Sequence, residues 1–190
     1  MSGAGAADFI VVVSGLPRSG TSLMMQMLAA GGLPPLTDGV RAADAANPRG
    51  YLEWEPAKAL LREPGAIAAA RGRAVKVISA LLPALAPEHR YRVLFMERDL
   101  GEVEASQRAM LGGGDALSAG ELARHLARTR AWLGAQPHIA TCAVGYRDAL
   151  EEPRATAERV CAFLGLPLDP LRMAAAVDAS LYRISSRRSS

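Results

Sequence analysis

The chain has 190 residues, half of them hydrophobic and 22% charged, a composition that excludes a disordered chain and suffices for one domain with a full core. Its 22 Lys and Arg against 19 Asp and Glu leave a formal net charge of only +3. That mild basicity suits a small anionic ligand better than a nucleic acid, which calls for a concentrated basic stripe.

The first residues, MSGAGAAD, lack the basic start and apolar run of a secretory signal, and the apolar run Phe9 to Val13 is too short to span a bilayer. Cys142 and Cys161 sit in apolar segments without the spacing of a metal site, as buried cytoplasmic thiols do. The expectation is a cytoplasmic protein with no membrane or nucleic-acid partner. It would form one domain over 1–190, with flexible ends at 1–8 and 184–190.

Phe9 to Val13 is continuously apolar and β-branched, which predicts a strand buried on both faces. Gly15 to Gly20 then turns into a helix over Thr21 to Ala30, with Leu23, Met27 and Ala30 on one stripe and Gly31-Gly32 ending it. Leu33 to Arg49 reads as a surface excursion, followed by helical starts at Pro56 to Leu61 and Ala66 to Ala70. Ala74 to Ser79 and Tyr91 to Glu97 are the next strands. Asp99 caps a helix through Met110-Leu111 that Gly112-Gly113-Gly114 stops. Ser118 with Glu121 forms a capping box for a helix to about Leu133. A fourth strand covers His138 to Tyr146, a helix runs from Arg154 to Leu164 before Gly165, and a last one occupies Asp169 to Val177. Strands alternate with helices, so the fold class is α/β. Three layers are expected, a central parallel sheet flanked by helices with ligands at the carboxyl ends of its strands.

The first turn carries the chemistry. From Gly15 it reads G-x-x-x-x-G and then Thr21-Ser22, where a nucleotide-hydrolysing loop has Lys followed by Ser or Thr. The cation stands instead at Arg18. Amides of Arg18 to Ser22 can form an anion nest at the helix N-terminus, with hydroxyls from Thr21 and Ser22, but Thr21 cannot reach a terminal phosphate as a lysine does.

This loop, GLPRSGTSLMMQML, resembles the 5′-phosphosulfate loop of sulfotransferases that use 3′-phosphoadenosine 5′-phosphosulfate (PAPS), and with it their P-loop-like fold. Pro17, Arg18, Ser19, Gly20, Thr21 and Ser22 match the pattern P-[KR]-[SG]-G-T-[ST] position by position; Leu23 stands where the familiar cytosolic enzymes have an aromatic residue that stacks on adenine. A second match is RDLGEVEAS, with Arg98 at a strand end and Ser106 eight residues on, the separation seen in the family's 3′-phosphate site. An arginine fork and a hydroxyl suit a phosphate dianion. In that helix Leu100, Val103, Gln107 and Met110 form one face with Ser106 at its margin. A third match, Val144 to Gly165, puts Tyr146 on a tyrosine that approaches adenine in several members.

The resemblance implies a sulfotransferase, with PAPS as donor, no metal, and a small hydroxylated or amino acceptor, a carbohydrate-like one included. Pro17, Arg18, Ser19, Gly20, Thr21, Ser22, Arg98, Ser106 and Tyr146 would bind the cofactor. Arg18 would stabilise the leaving oxygen and the sulfuryl group, and Lys76 would touch the same oxygens. Ile78 replaces the histidine that serves small-molecule enzymes as base. Glutamates after the first helix take that role in carbohydrate and tyrosyl-protein enzymes. Here Glu53 and Glu55 share one face of an extended segment, and Glu53, between Leu52 and Trp54, is the better candidate for a desolvated carboxylate of raised pKa. The Arg-Lys-Gly that clamps the 3′-phosphate in many members is missing; Arg183, Arg187 and Arg188 are the nearby cations. Two other readings remain open. One is a non-catalytic nucleotide-binding protein that kept the fold; the other is a P-loop kinase, which the absent lysine disfavours.

Overall fold

The computed structural model describes residues 8–40, 50–111 and 116–178. The glycine stop at Gly112 to Gly114, the stretch 41–49 of the surface excursion and the arginines Arg183, Arg187 and Arg188 lie outside the described residues.

Four parallel strands, β1 (Ile10–Gly15), β2 (Ala74–Lys76), β3 (Tyr91–Glu97) and β4 (Ile139–Gly145), form one sheet in the order β2-β1-β3-β4. Side chains alternate across it. Ile10 and Val12, with Tyr91, Val93 and Phe95, enter one apolar cluster, whereas Val11 and Val13, with Leu94 and Met96, enter another. Helices α2 (Leu100–Met110) and α3 (Ala119–Gly134), together with three short 3₁₀ segments, cover the first cluster. Helices α1 (Thr21–Ala30), α4 (Tyr146–Glu151), α5 (Pro153–Leu164) and α6 (Pro170–Ala175) cover the second. The fold is three-layer α/β; β1 and β2 are buried at every position and β3 at most, so they read as apolar runs, whereas edge strand β4 leaves Ala140, Thr141 and Ala143 exposed.

Local signals explain most boundaries. Asp99 accepts the Glu102 amide at the start of α2, and Ser118 and Glu121 close a complete capping box on α3. Gly165 ends α5 in the left-handed region.

Five expectations are corrected. β1 runs on to Gly15, because Ser14 and Gly15 pair with Phe95 and Met96 inside the sheet. β2 has three residues and stops at Lys76, after which Ser79–Ala84 forms a 3₁₀ turn. The segments expected as helices near Pro56 and Ala66 are tight 3₁₀ turns, Glu55–Ala59 and Pro64–Ala70. In α1 the buried residues are Met24, Met25, Met27 and Leu28. This helix lies between the sheet and α6, which broadens its buried arc and leaves Leu23 half-buried, against the second cluster. Finally, β4 ends at Gly145 and Tyr146 opens α4, a helix whose first turn carries Asp148, favourable beside the N-terminal dipole.

The path β1–α1–β2 runs to one side of β1, and β3 returns on the other. Between the carboxyl ends of β1 and β3 is the point where an open parallel sheet leaves a crevice. Leu94 is wholly buried on central strand β3. Leu94→Ala is expected to cost about 2–5 kcal/mol in chemical denaturation without changing the slope of the unfolding transition.

Candidate functional site

The loop between β1 and α1 occupies that crevice, and its shape follows from two glycines. Gly15 has φ 150°, and a Cβ there would stand 2.4 Å from the Ser19 hydroxyl and 2.7 Å from the Met96 carbonyl oxygen. Gly20 has φ 101°, and its Cβ would meet Cδ2 of Tyr146 at 2.3 Å. Arg18, between them, is itself left-handed at φ 75°, a conformation that costs a non-glycine residue about 1–2 kcal/mol. Such strain persists only where the surroundings fix it.

Helix α2 and the end of β3 supply that hold. Arg98 Nη1 donates to the Arg18 carbonyl oxygen at 3.1 Å, Gln107 Nε2 donates to that of Pro17 at 3.0 Å, and Arg18 Nε donates to the Ser106 hydroxyl at 2.9 Å. Ser106 is 5% exposed and faces the loop from behind, rather than standing at a helix margin open to a ligand. Arg98 and Ser106 thus do converge, but on Arg18. Arg98 also pairs with Glu102 at 2.9 Å and lies 4.5 Å over the Tyr146 ring. Glu102 has a second arginine, Arg147, at 3.5 Å.

In front of the loop is a cleft of about 330 Å³. Pro17, Arg18, Gly20, Thr21 and Ser22 form one side of it, Arg98 and Tyr146 an end, and Glu53 and Lys76 belong to the same lining. Ser19 does not reach the cleft: it is 1% exposed, and its amide donates to Leu16 O, so it leaves the expected nest. Helix α1 begins at Thr21 without a side-chain cap or an acidic residue in its first turn. Its opening amides therefore lack the acceptors that Asp99 and Ser118 give α2 and α3, and the dipole adds partial positive charge.

Lys76, at 7% exposure, is the deepest cation. Its ammonium donates to Ser22 Oγ at 3.0 Å and to the Tyr51 carbonyl oxygen, and lies 3.9 Å from a Glu53 carboxylate oxygen. Lys58 stands 4.0 Å from the other Glu53 oxygen. The expected apolar shielding of Glu53 is corrected here. Leu52 takes φ 50°, so the segment is not extended; Leu52 packs on one core cluster and Trp54 on the other. Glu53 is left between two ammonium groups with a side chain 20% exposed.

The backbone of this segment is fixed by Thr37, whose hydroxyl donates to Glu53 O at 2.9 Å, and by Asp38, which accepts the Glu55 amide at 2.6 Å. Hydrogen bonds from the Glu55 and Val40 amides hold the Asp38 carboxyl below its usual pKa, so this clip is intact at neutral pH and weakens as pH falls through that depressed value. Glu55 is outside the cleft and pairs with Lys58 at 2.5 Å.

Sequence reasoning missed Tyr51, Lys58, Gln26 and Leu150 of the lining, and Gln107 behind the loop. Lys58 was legible only as a charge in a short helix, because its role depends on the turn at Leu52. A second hollow, of about 520 Å³, lies between β3, β4 and α3 and shares Arg98 and Tyr146 with the first. Burial pushes the thiols of Cys142 and Cys161 upward, so neither is an activated nucleophile. Among the described residues, no group of three or more His, Cys, Asp or Glu could hold a metal ion, and no helix is long and apolar enough to cross a membrane.

No protein-family model matches the sequence, and no curated protein does. Solved structures match in fold. The sulfotransferase domain from the curacin biosynthetic pathway aligns with a TM-score of 0.50 and 15% identity, over 93% of this chain and 90% of that one. The sulfotransferase domain from the Synechococcus PCC 7002 olefin synthase gives 0.50 and 16%, over 93% and 82%. A sugar kinase from Janibacter sp. HTCC2649, in an unliganded structure, aligns at 0.45 and 18% identity, over 88% and 97%, a likeness too distant to carry an argument. At these identities the likeness to the sulfotransferase domains is one of fold.

Gly20→Ala is expected to destabilise the chain by at least the 1–2 kcal/mol of a left-handed alanine. Adding Tyr146→Ala should recover the part due to the ring clash, so a double-mutant cycle in denaturant should give a nonzero coupling.

Proposed function

We propose that the chain is a sulfotransferase that takes its sulfuryl group from PAPS and delivers it to the hydroxyl or amine of a small molecule. The observation that supports this best is one cleft combining an uncapped helix N-terminus, four cations and two carboxylates: the first turn of α1, then Arg18, Lys58, Lys76 and Arg98, with Glu53 and Asp178. Charge of that sign and number fits a doubly phosphorylated adenosine, and the fold it shares with the two sulfotransferase domains agrees.

In this reading the amides of Thr21 and Ser22, with their hydroxyls, hold the 5′-phosphate. The donor supplies the activated sulfuryl group. Arg18 and Lys76 stabilise negative charge on the oxygen that leaves as the bond from sulfur to phosphate oxygen breaks. The acceptor oxygen forms the new bond to sulfur, and its proton passes to the Glu53 carboxylate, which two neighbouring ammonium groups orient. Tyr146 offers a ring face to the adenine side. Arg98 serves the 3′-phosphate, but Glu102 already pairs with it, so that phosphate must compete with an internal carboxylate which Arg147 can share. Ser106 acts one step removed, by holding the Arg18 side chain. Magnesium takes no part.

Calorimetry without magnesium is expected to show binding of 3′-phosphoadenosine 5′-phosphate, tighter than adenosine 5′-phosphate; absence of binding at submillimolar concentration refutes the reading. Arg98→Ala should remove most of the difference between the two nucleotides, about 2–4 kcal/mol for a largely buried charge pair. Glu53→Gln should leave nucleotide binding intact and lower labelled-sulfate transfer about 100-fold or more on whichever acceptor of a broad panel is used. Unchanged turnover removes Glu53 as the base.

A further inference from the structure

The two sides of the cleft differ in chemistry. On the side of α1 the lining is Thr21, Ser22, Leu23 and Gln26, polar at three of four positions and beside the cations of the loop. On the opposite side, which belongs to the layer of α2 and the 3₁₀ turns, it is Trp54, Ala57, Ile78, Leu81 and Met110, with Lys58 as the one charged residue of the turn, paired with Glu53 and Glu55. Trp54 and Leu81 pack their inner edges on the first core cluster, whereas Ile78 is 40% exposed and Met110 47%. Large apolar side chains left uncovered together at the wall of a cleft, and not scattered over the surface, mark a surface that gains from being covered.

We propose that this wall is the acceptor subsite and that it takes an apolar alcohol, a phenol or another aryl or alkyl alcohol, rather than a sugar. The inference rests on the sulfotransferase reading for its chemistry but not for its binding surface. A sugar brings several hydroxyl groups, each needing a partner once water is expelled; the five apolar side chains offer one indole N–H between them, and the Lys58 ammonium is already engaged by Glu53 and Glu55. An apolar body with a single hydroxyl leaves one polar group to satisfy, and Glu53 lies in the same lining to accept from it. Ile78 contributes twice. It supplies apolar surface at the end of β2, and it puts a hydrocarbon in the cleft at the position where the resemblance leads one to look for an imidazole. The transfer then balances as above, with the acceptor proton on Glu53 and the bonding pair left on the phosphate oxygen.

The test is calorimetric titration of the whole protein with 2-naphthol and with methyl β-glucoside, each with and without saturating 3′-phosphoadenosine 5′-phosphate. Naphthol is expected to bind and the glucoside not. Ile78→Ser should weaken naphthol about tenfold, since a few methylenes in an apolar pocket discriminate by at least that factor, and Ile78→Leu should restore it. Nucleotide affinity should stay within about twofold in both variants, which also reports that they fold. Glucoside binding in preference to naphthol, no naphthol binding, or naphthol binding indifferent to Ile78→Ser each overturns the apolar subsite. Naphthol binding that responds to Ile78 while the nucleotide fails to bind supports the subsite and refutes the donor assignment instead.

Discussion

The grip of α2 on the loop after β1 governs the site. Without it, a left-handed Arg18 between two glycines with positive φ is one conformer among many for a six-residue turn. Three donors prevent that: Arg98 to the Arg18 carbonyl oxygen, Gln107 to that of Pro17, and Arg18 itself to Ser106. All cross from β1's loop to residues some eighty to ninety positions away, so the loop is held by the sheet's topology and not by its own sequence. The hold also sets direction. With its carbonyl oxygens drawn back toward α2, the chain enters α1 with that helix's first amides turned to the crevice.

Electrostatics follow the same economy. Lys76 is nearly buried and depends on Ser22, the Tyr51 carbonyl oxygen and Glu53 to remain so. Glu53 reaches Lys76 only because Leu52 adopts φ 50° and throws the next side chain into the cleft. A strained residue beside a candidate base, anchored by Thr37 and Asp38, is the kind of local cost that a functional position sustains.

How much of this was legible in the sequence differs by the range of the forces involved. β3 and α1 have the predicted bounds, Asp99 and Ser118 cap their helices, and the α/β order follows from alternation, because these depend on nearest neighbours and on buried central strands. The glycine loop was readable too, since φ and close approach are written in Gly15 and Gly20. What escaped was set at a distance. α4 was hidden by Tyr146, a residue of high strand propensity that tertiary packing turns into the first residue of a helix. The surroundings of Glu53 could not be read, because alternation assumes an extended chain and Leu52 breaks it. Ser106 was expected at a margin, and only the position of the loop makes its face the inner one.

Arg98 and Tyr146, just past the carboxyl ends of β3 and β4, line both hollows. Two cavities that share side chains are not chemically independent. A ligand that drew Arg98 away from Glu102 would alter the lining of both, and would leave that carboxylate to Arg147, which lines the second.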